Sequence, residues 1–158
     1  MSRRNRNKQA AAAVTQKGER VRIILYSICA LIAVAGLANA TYLTASHLAG
    51  ETVTCLASTR CSEVLASKYA TVGGIPLAAV GAVGYFVAFS AATLAAFGRE
   101  SARRVLTITV GAMFVATLWL LYLQAFVIKA FCDYCLLSAA MIFALAGIVI
   151  ITPARVRD

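Results

Sequence analysis

Phe131-Cys132-Asp133-Tyr134-Cys135, with the apolar run Leu136 to Ile151 behind it, decides how this chain is read. Two thiols three residues apart form a dithiol/disulfide pair able to exchange electrons with another dithiol. The segment that begins at Cys132 and continues to Ile151 carries no charge after Asp133. At ~1.5 Å per residue, about 20 such residues cross the ~30 Å hydrocarbon layer of a bilayer. The pair therefore sits at the head of a membrane span, and the fold depends on how many further spans accompany it.

Working outward, Val105 to about Lys129 forms an apolar run before the pair, with Trp119 and Tyr122 toward its later half. A short basic loop, Gly98 to Arg104, precedes that run. Before the loop, Leu77 to Phe97 forms another run, with Ala78, Gly81, Gly84, Ala88, Ala91 and Ala92 recurring along it. Small residues at such intervals let helices approach closely in lipid. The first run extends from Ile23 to roughly Leu48. Ala38-Asn39-Ala40 within it has the small-x-small form of a signal cleavage site, but the run continues through Thr41, Tyr42 and Leu43, so a retained helix is expected. The chain is 61% hydrophobic and 13% charged, with a mean hydropathy of +0.83. Soluble domains carry about twice that share of charge. The expected fold is all-α, a four-transmembrane-helix bundle. Its bounds are a basic arm at residues 1–22, the membrane domain at 23–152 and a short tail at 153–158.

The net charge of +9 sits where a membrane protein puts it. Seven Lys and Arg fall in the N-terminal arm, three in the Gly98–Arg104 loop and two in the tail, twelve of the fifteen in all. Only Arg60, Lys68 and Lys129 fall elsewhere. Basic residues gather in cytoplasmic loops, so both termini are expected inside. The polar arm, expected to be disordered through about Gln16, has no aromatic interleaving that would read nucleic acid. The expected site is a bacterial inner (cell) membrane, with the cysteine-bearing loops facing the periplasm or exterior.

That topology puts four of the five cysteines on one face. Cys55 and Cys61 lie in the first outer loop, and Cys132 and Cys135 at the outer end of the last span. Cys29 lies toward the other side and reads as a small buried hydrophobe. A helix N-terminus at Cys132 favours a thiolate, while burial opposes one. Five residues separate Cys55 from Cys61, enough to close a loop that presents a disulfide to a partner and then to the inner pair. Ser62 to Tyr69 is expected to form a short helix beside it, with Val64 and Leu65 on one side, and Gly73-Gly74-Ile75-Pro76 to punctuate the entry to the second span. No nucleotide-binding motif is present, which leaves a lipid-soluble quinone as the electron sink.

This ordered set resembles the bacterial form of the vitamin K epoxide reductase family. Cys55-x5-Cys61, Ser67, Gly74-Ile75-Pro76-Leu77 and Cys132-x-x-Cys135 carry the resemblance, over about Ile23 to Ile151. It implies a four-helix bundle around a quinone of the menaquinone or ubiquinone type. It implies Cys132 and Cys135 as the active-site pair, with Cys135 nearest the quinone. Cys55 would meet the partner and Cys61 would pass electrons to Cys132. Ser67 matches a hydroxyl that supports quinone binding, and Val64, Leu65 and Tyr69 would line a short periplasmic helix capping the pocket between helices one and two. The implied activity is a quinone-dependent thiol–disulfide oxidoreductase that oxidises a periplasmic, DsbA-like thioredoxin-fold protein and so supports disulfide formation in secreted proteins. One departure stands out. Vertebrate members carry a tyrosine four residues after the second cysteine, where this chain has Ala139, which favours plain quinone reduction over epoxide reduction.

Two other classes are open to the same residues. The four outer thiols could form a tetrathiolate metal site, against which the x5 spacing and an oxidising compartment count. They could also merely staple the outer loops of a structural subunit. His47 and Lys129 read as interfacial residues, Trp119 and Tyr122 as bundle packing, and Asp133 as an exposed acid.

Overall fold

The structure is a computed structural model that describes residues 3–50 and 70–152; the side chains of residues 3–15 and of Val72 are not part of that description. Helix α1 runs Arg3–Ala49, α2 Leu77–Ala96, α3 Glu100–Tyr122 and α4 Asp133–Ile151. All four include a stretch long and apolar enough to cross a membrane. The predicted bounds hold closely for α2 and α4. Two differ. The N-terminal arm is helical from Arg3 rather than disordered, because Ala10 to Ala13 and the flanking Arg, Lys and Gln residues are strong helix formers that extend an already nucleated span. Helix α3 starts at Glu100 rather than Val105, its first turn carrying a Glu100–Arg103 ion pair at 3.5 Å.

Between α1 and α2 a two-stranded hairpin pairs β1 (Thr71–Val72) with β2 (Ile75–Pro76). Gly73 and Gly74 form its turn with φ of 60° and 84°, a left-handed pair that side chains resist and glycine adopts freely. Pro76 ends the hairpin and immediately precedes α2, where its missing N–H leaves no helical bond unmade. The Leu77 N–H closes the junction by donating to the Ala70 carbonyl at 2.8 Å.

The helices form a ring in which α1 packs on α2, α2 on α3, α3 on α4, and α4 back on α1. The tightest seam joins α1 to α2. Ala88, Ala91, Ala92 and Ala95 are buried there with Tyr26, Cys29, Ala33 and Ala40. Alanines and glycine bring the backbones together, which replaces the hydrophobic drive that lipid does not supply. Gly36 on α1 is covered by the ring of Tyr85 on α2, and Gly84 on α2 by Met113 on α3. Across the other seam Phe114 and Phe143 meet edge to face at 5.1 Å. Cys29 is fully buried in this core, as its sequence position implied.

Trp119 and Tyr122 do not pack inside the bundle. They are 61% and 51% exposed and stack on each other at 6.0 Å, with Phe126 continuing the ladder. Aromatic rings on the outer surface near a helix end suit the membrane–water boundary, where an amphipathic ring gains from both phases. At the opposite end of the bundle Arg22, Arg99 and Arg103 gather around Tyr26.

Candidate active site

The active face is built where α3 stops being regular. After Tyr122 the chain widens into a π-helical turn, Leu123–Ile128. Leu123 and Gln124 are buried, Gln124 on the interior face already marked by Val110, Thr117 and Leu121, while Ala125, Phe126 and Val127 stay outside. Lys129 then takes a left-handed conformation, φ 54°, with its side chain exposed. This reverses the chain and delivers Ala130 and Cys132 back into a small buried cluster with Ile128, Tyr134 and Cys135. Such a φ costs a non-glycine residue about 1 kcal/mol. Lys129→Gly should therefore raise the unfolding free energy by about 0.5–1 kcal/mol, and Lys129→Ile lower it by at least as much, in thermal unfolding of the detergent-solubilised protein.

Cys132 is the N-cap residue of α4, extended at φ −112° and ψ 119°, and its carbonyl accepts the first helical bond from Leu136 at 2.9 Å. It is fully buried, and Cys135 one turn later is half-buried; both are free thiols. The pKa of the Cys132 thiol is lowered to about 7. The main cause is the Cys135 S–H donating to it, opposed by burial, then helped by the Cys135 and Tyr134 backbone N–H groups and opposed again by Asp133. Hydrogen bonds to the charged form outweigh desolvation, which resolves the competition between helix end and burial that the sequence posed. Asp133 is half-buried and partnered rather than simply exposed.

Beside the pair lies a cleft of about 650 Å³ lined by all four helices. Its walls are mostly aliphatic, and Cys135 lines it while Cys132 does not. The few polar groups on its walls converge from three helices and the π-turn. Asn39 of α1 donates from Nδ2 to the Tyr134 carbonyl at 3.2 Å, and Gln124 accepts at Oε1 from the Cys132 N–H at 3.4 Å. The Tyr85 hydroxyl of α2 lies 2.8 Å from Ser138 Oγ and donates to the Ser138 carbonyl at 3.1 Å, one turn beyond Cys135. Ala139 and His47 complete the lining near these groups. The volume and the ratio of apolar wall to placed polar groups suit a small ring compound.

Of the residues predicted for the site, Cys132 and Cys135 stand together at the cavity edge. Cys55, Cys61, Val64, Leu65, Ser67 and Tyr69, and the short helix expected to carry four of them, lie outside the described residues. Ala70, the next residue along, lines the cavity. Tyr85, Gln124 and Ser138 are not among the residues expected from sequence, and neither is a site role for Asn39. Each is a polar group inside a predicted span, and that costly placement is the sequence signal that marks them.

A ring of four membrane-crossing helices, with a CxxC dithiol capping one of them beside an apolar cavity, defines a class: polytopic membrane proteins that do thiol chemistry at the bilayer edge. Residues 27–150 match the vitamin K epoxide reductase family, so the chain belongs to that family and is a multi-pass membrane thiol–disulfide oxidoreductase. No curated protein matches the chain.

Proposed function

We propose that the chain oxidises a periplasmic, DsbA-like thioredoxin-fold protein and passes the two electrons to a membrane quinone of the menaquinone or ubiquinone type. The observation that carries this reading is the unequal placement of the two inner thiols. Cys132 is buried outside the cavity lining with its pKa lowered to about 7, while Cys135 lines a roughly 650 Å³ apolar space. The partner's dithiol reduces the Cys55–Cys61 disulfide. The Cys61 thiolate attacks Cys132 Sγ, breaking the Cys132–Cys135 bond and releasing Cys135. Cys55 then attacks Cys61, so the outer disulfide re-forms and the inner pair is left as a dithiol. In the last step the Cys132 thiolate attacks Cys135 Sγ and the inner disulfide returns. The electron pair and the Cys135 proton go to the quinone, and a second proton from solvent completes the hydroquinone. Ser67 supports quinone binding through its hydroxyl, with Val64, Leu65 and Tyr69 as further quinone-binding residues. With the arginine-rich end of the bundle in the cytoplasm, the dithiol end faces the periplasm.

The direct test is anaerobic reduction of a soluble ubiquinone or menaquinone analogue by the purified protein with a reduced dithiol donor, monitored by quinone absorbance. Stoichiometric hydroquinone per dithiol oxidised is expected. Dithiol oxidation that proceeds at the same rate without any quinone would sink the reading.

The Cys132 thiol also sets a pH dependence. An ordinary cysteine titrates near 8.5. With Cys132 lowered to about 7, its alkylation rate in the reduced protein should level off above pH 7 and fall about tenfold per unit below it. Mass-resolved iodoacetamide labelling between about pH 5 and 9 brackets both values and measures the midpoint.

A further inference from the structure

The backbone on either side of the dithiol is held by two carboxamides from different parts of the chain. Gln124 comes from the π-turn and is 4% exposed; it accepts the Cys132 N–H. Asn39 comes from the C-terminal quarter of α1, 95 residues from its partner, and donates to the Tyr134 carbonyl. One grips the residue at the helix cap and the other the peptide between the two cysteines. Cys132 has no side-chain cap of its own for α4.

We infer that Asn39 and Gln124 are positioning residues that clamp the Cys132–Cys135 backbone, so that the Cys132 sulfur stays over the first turn of α4 and within reach of Cys135. The geometry requires something of this kind. Cys132 is extended, and Lys129 just before it is left-handed, so nothing helical fixes its φ and ψ from the N-terminal side. Gln124 continues the interior face that Val110, Thr117 and Leu121 mark at helical spacing, and the π-turn that starts at Leu123 lets the chain leave that face for Cys132. A side-chain amide inside a membrane span is costly unless bonded; Gln124 is buried and Asn39 half-buried, and at both sites a bond goes to the dithiol backbone. On the α1 side the contact is reinforced by Tyr42, whose ring lies 5.5 Å from that of Tyr134.

Among the described residues the ionisable groups near the dithiol are Cys135, Asp133 and Tyr134 on α4, Tyr42 against Tyr134 and His47 on the cavity wall from α1, and Lys129 in the connecting turn. Substituting Gln124 or Asn39 alters none of them, so a change in thiol titration reports geometry. The inference rests on Cys132 being the thiolate of the inner pair. Its readout requires no quinone, so the two ideas fail separately. In full-length reduced protein in lipid nanodiscs, Gln124→Met and Asn39→Leu remove the polar contacts with little change of volume. Each should raise the pH midpoint of Cys132 alkylation by about one unit, as the bonds from Cys135 and the helix end loosen. Leu145→Val loosens the α4 core away from the cavity lining without touching the dithiol backbone and should leave the midpoint in place. Should Gln124→Met not yield folded protein, Asn39→Leu decides alone. Midpoints within two tenths of a unit of wild type in the folded variants overturn the clamp, even if wild-type quinone turnover is intact. A shifted midpoint in protein that does not reduce quinone supports the clamp and removes the proposed electron acceptor instead.

Discussion

Cys135→Ala should lower dithiol-driven quinone reduction at least a thousandfold, about 4 kcal/mol of transition-state stabilisation. Both halves of the site depend on this sulfur. It is the thiol that opens onto the cavity, and its S–H is the main cause of the lowered Cys132 titration. Removing it leaves Cys132 with burial and Asp133 opposing the thiolate and only backbone N–H groups favouring it. The Cys132 alkylation midpoint should therefore move from about 7 toward the ordinary value near 8.5. A second consequence separates this variant from Cys132→Ala. With Cys135 gone, the Cys132 thiolate can still attack Cys61 of the oxidised outer pair, breaking Cys55–Cys61 and releasing Cys55. With no Cys135 to draw it on to an inner disulfide, the resulting Cys61–Cys132 mixed disulfide exchanges with the outer disulfide and should be trapped on non-reducing analysis. With Cys132 gone it cannot form. Turnover within tenfold of wild type in Cys135→Ala would end the proposed electron path.

Gly36→Ala should destabilise the bundle by about 2–3 kcal/mol, although alanine is normally the better helix residue. Helix propensity alone favours the substitution by up to about 1 kcal/mol. Against that, a Cβ at position 36 would overlap the Tyr85 ring at Cε1, Cζ and Cδ1. The ring cannot retreat freely, because Tyr85 is 1% exposed and its hydroxyl is tied to Ser138. Overpacking of a tight interior costs about 1–3 kcal/mol, and displacing Tyr85 adds a buried hydroxyl pair to the loss. The decisive measurement is a double-mutant cycle with Tyr85→Ala, using unfolding of the detergent-solubilised protein. Gly36→Ala should cost less than about 1 kcal/mol once the ring is absent, a coupling larger than independent sites show. Additive effects would mean that Gly36 is not where α1 and α2 make their close approach.

The membrane class, the count of spans and the identity of the inner dithiol are all legible in the residues. Leu77 to Phe97 and Cys132 to Ile151 are long enough and apolar enough to admit one reading, and their observed helices end within a residue of it. The N-terminal arm departs from expectation because its low hydrophobicity bears on core formation, while the helix propensity of its alanines governs its backbone. Trp119 and Tyr122 read as bundle packing because every face of α3 is apolar. In a helix that is hydrophobic all round, periodicity does not say which side meets lipid.

That limit also divides the site. Cys132 and Cys135 announce themselves by spacing, a property of neighbours along the chain. Asn39, Tyr85, Gln124 and Ser138 matter only because helices α1 and α2 and the π-turn bring them to α4, and no spacing encodes that meeting. Hydropathy and thiol chemistry depend on residue type and on distance along one helix, so the amino-acid sequence alone determined a membrane-spanning bundle with two neighbouring thiols at the head of its last helix. The register between helices depends on small residues such as Gly36 facing large ones such as Tyr85, and on the π-turn and left-handed Lys129 returning the chain to Cys132. The cavity, the hydroxyl pair on its wall and the unequal exposure of the two thiols arise from that register, and only the tertiary structure decided it.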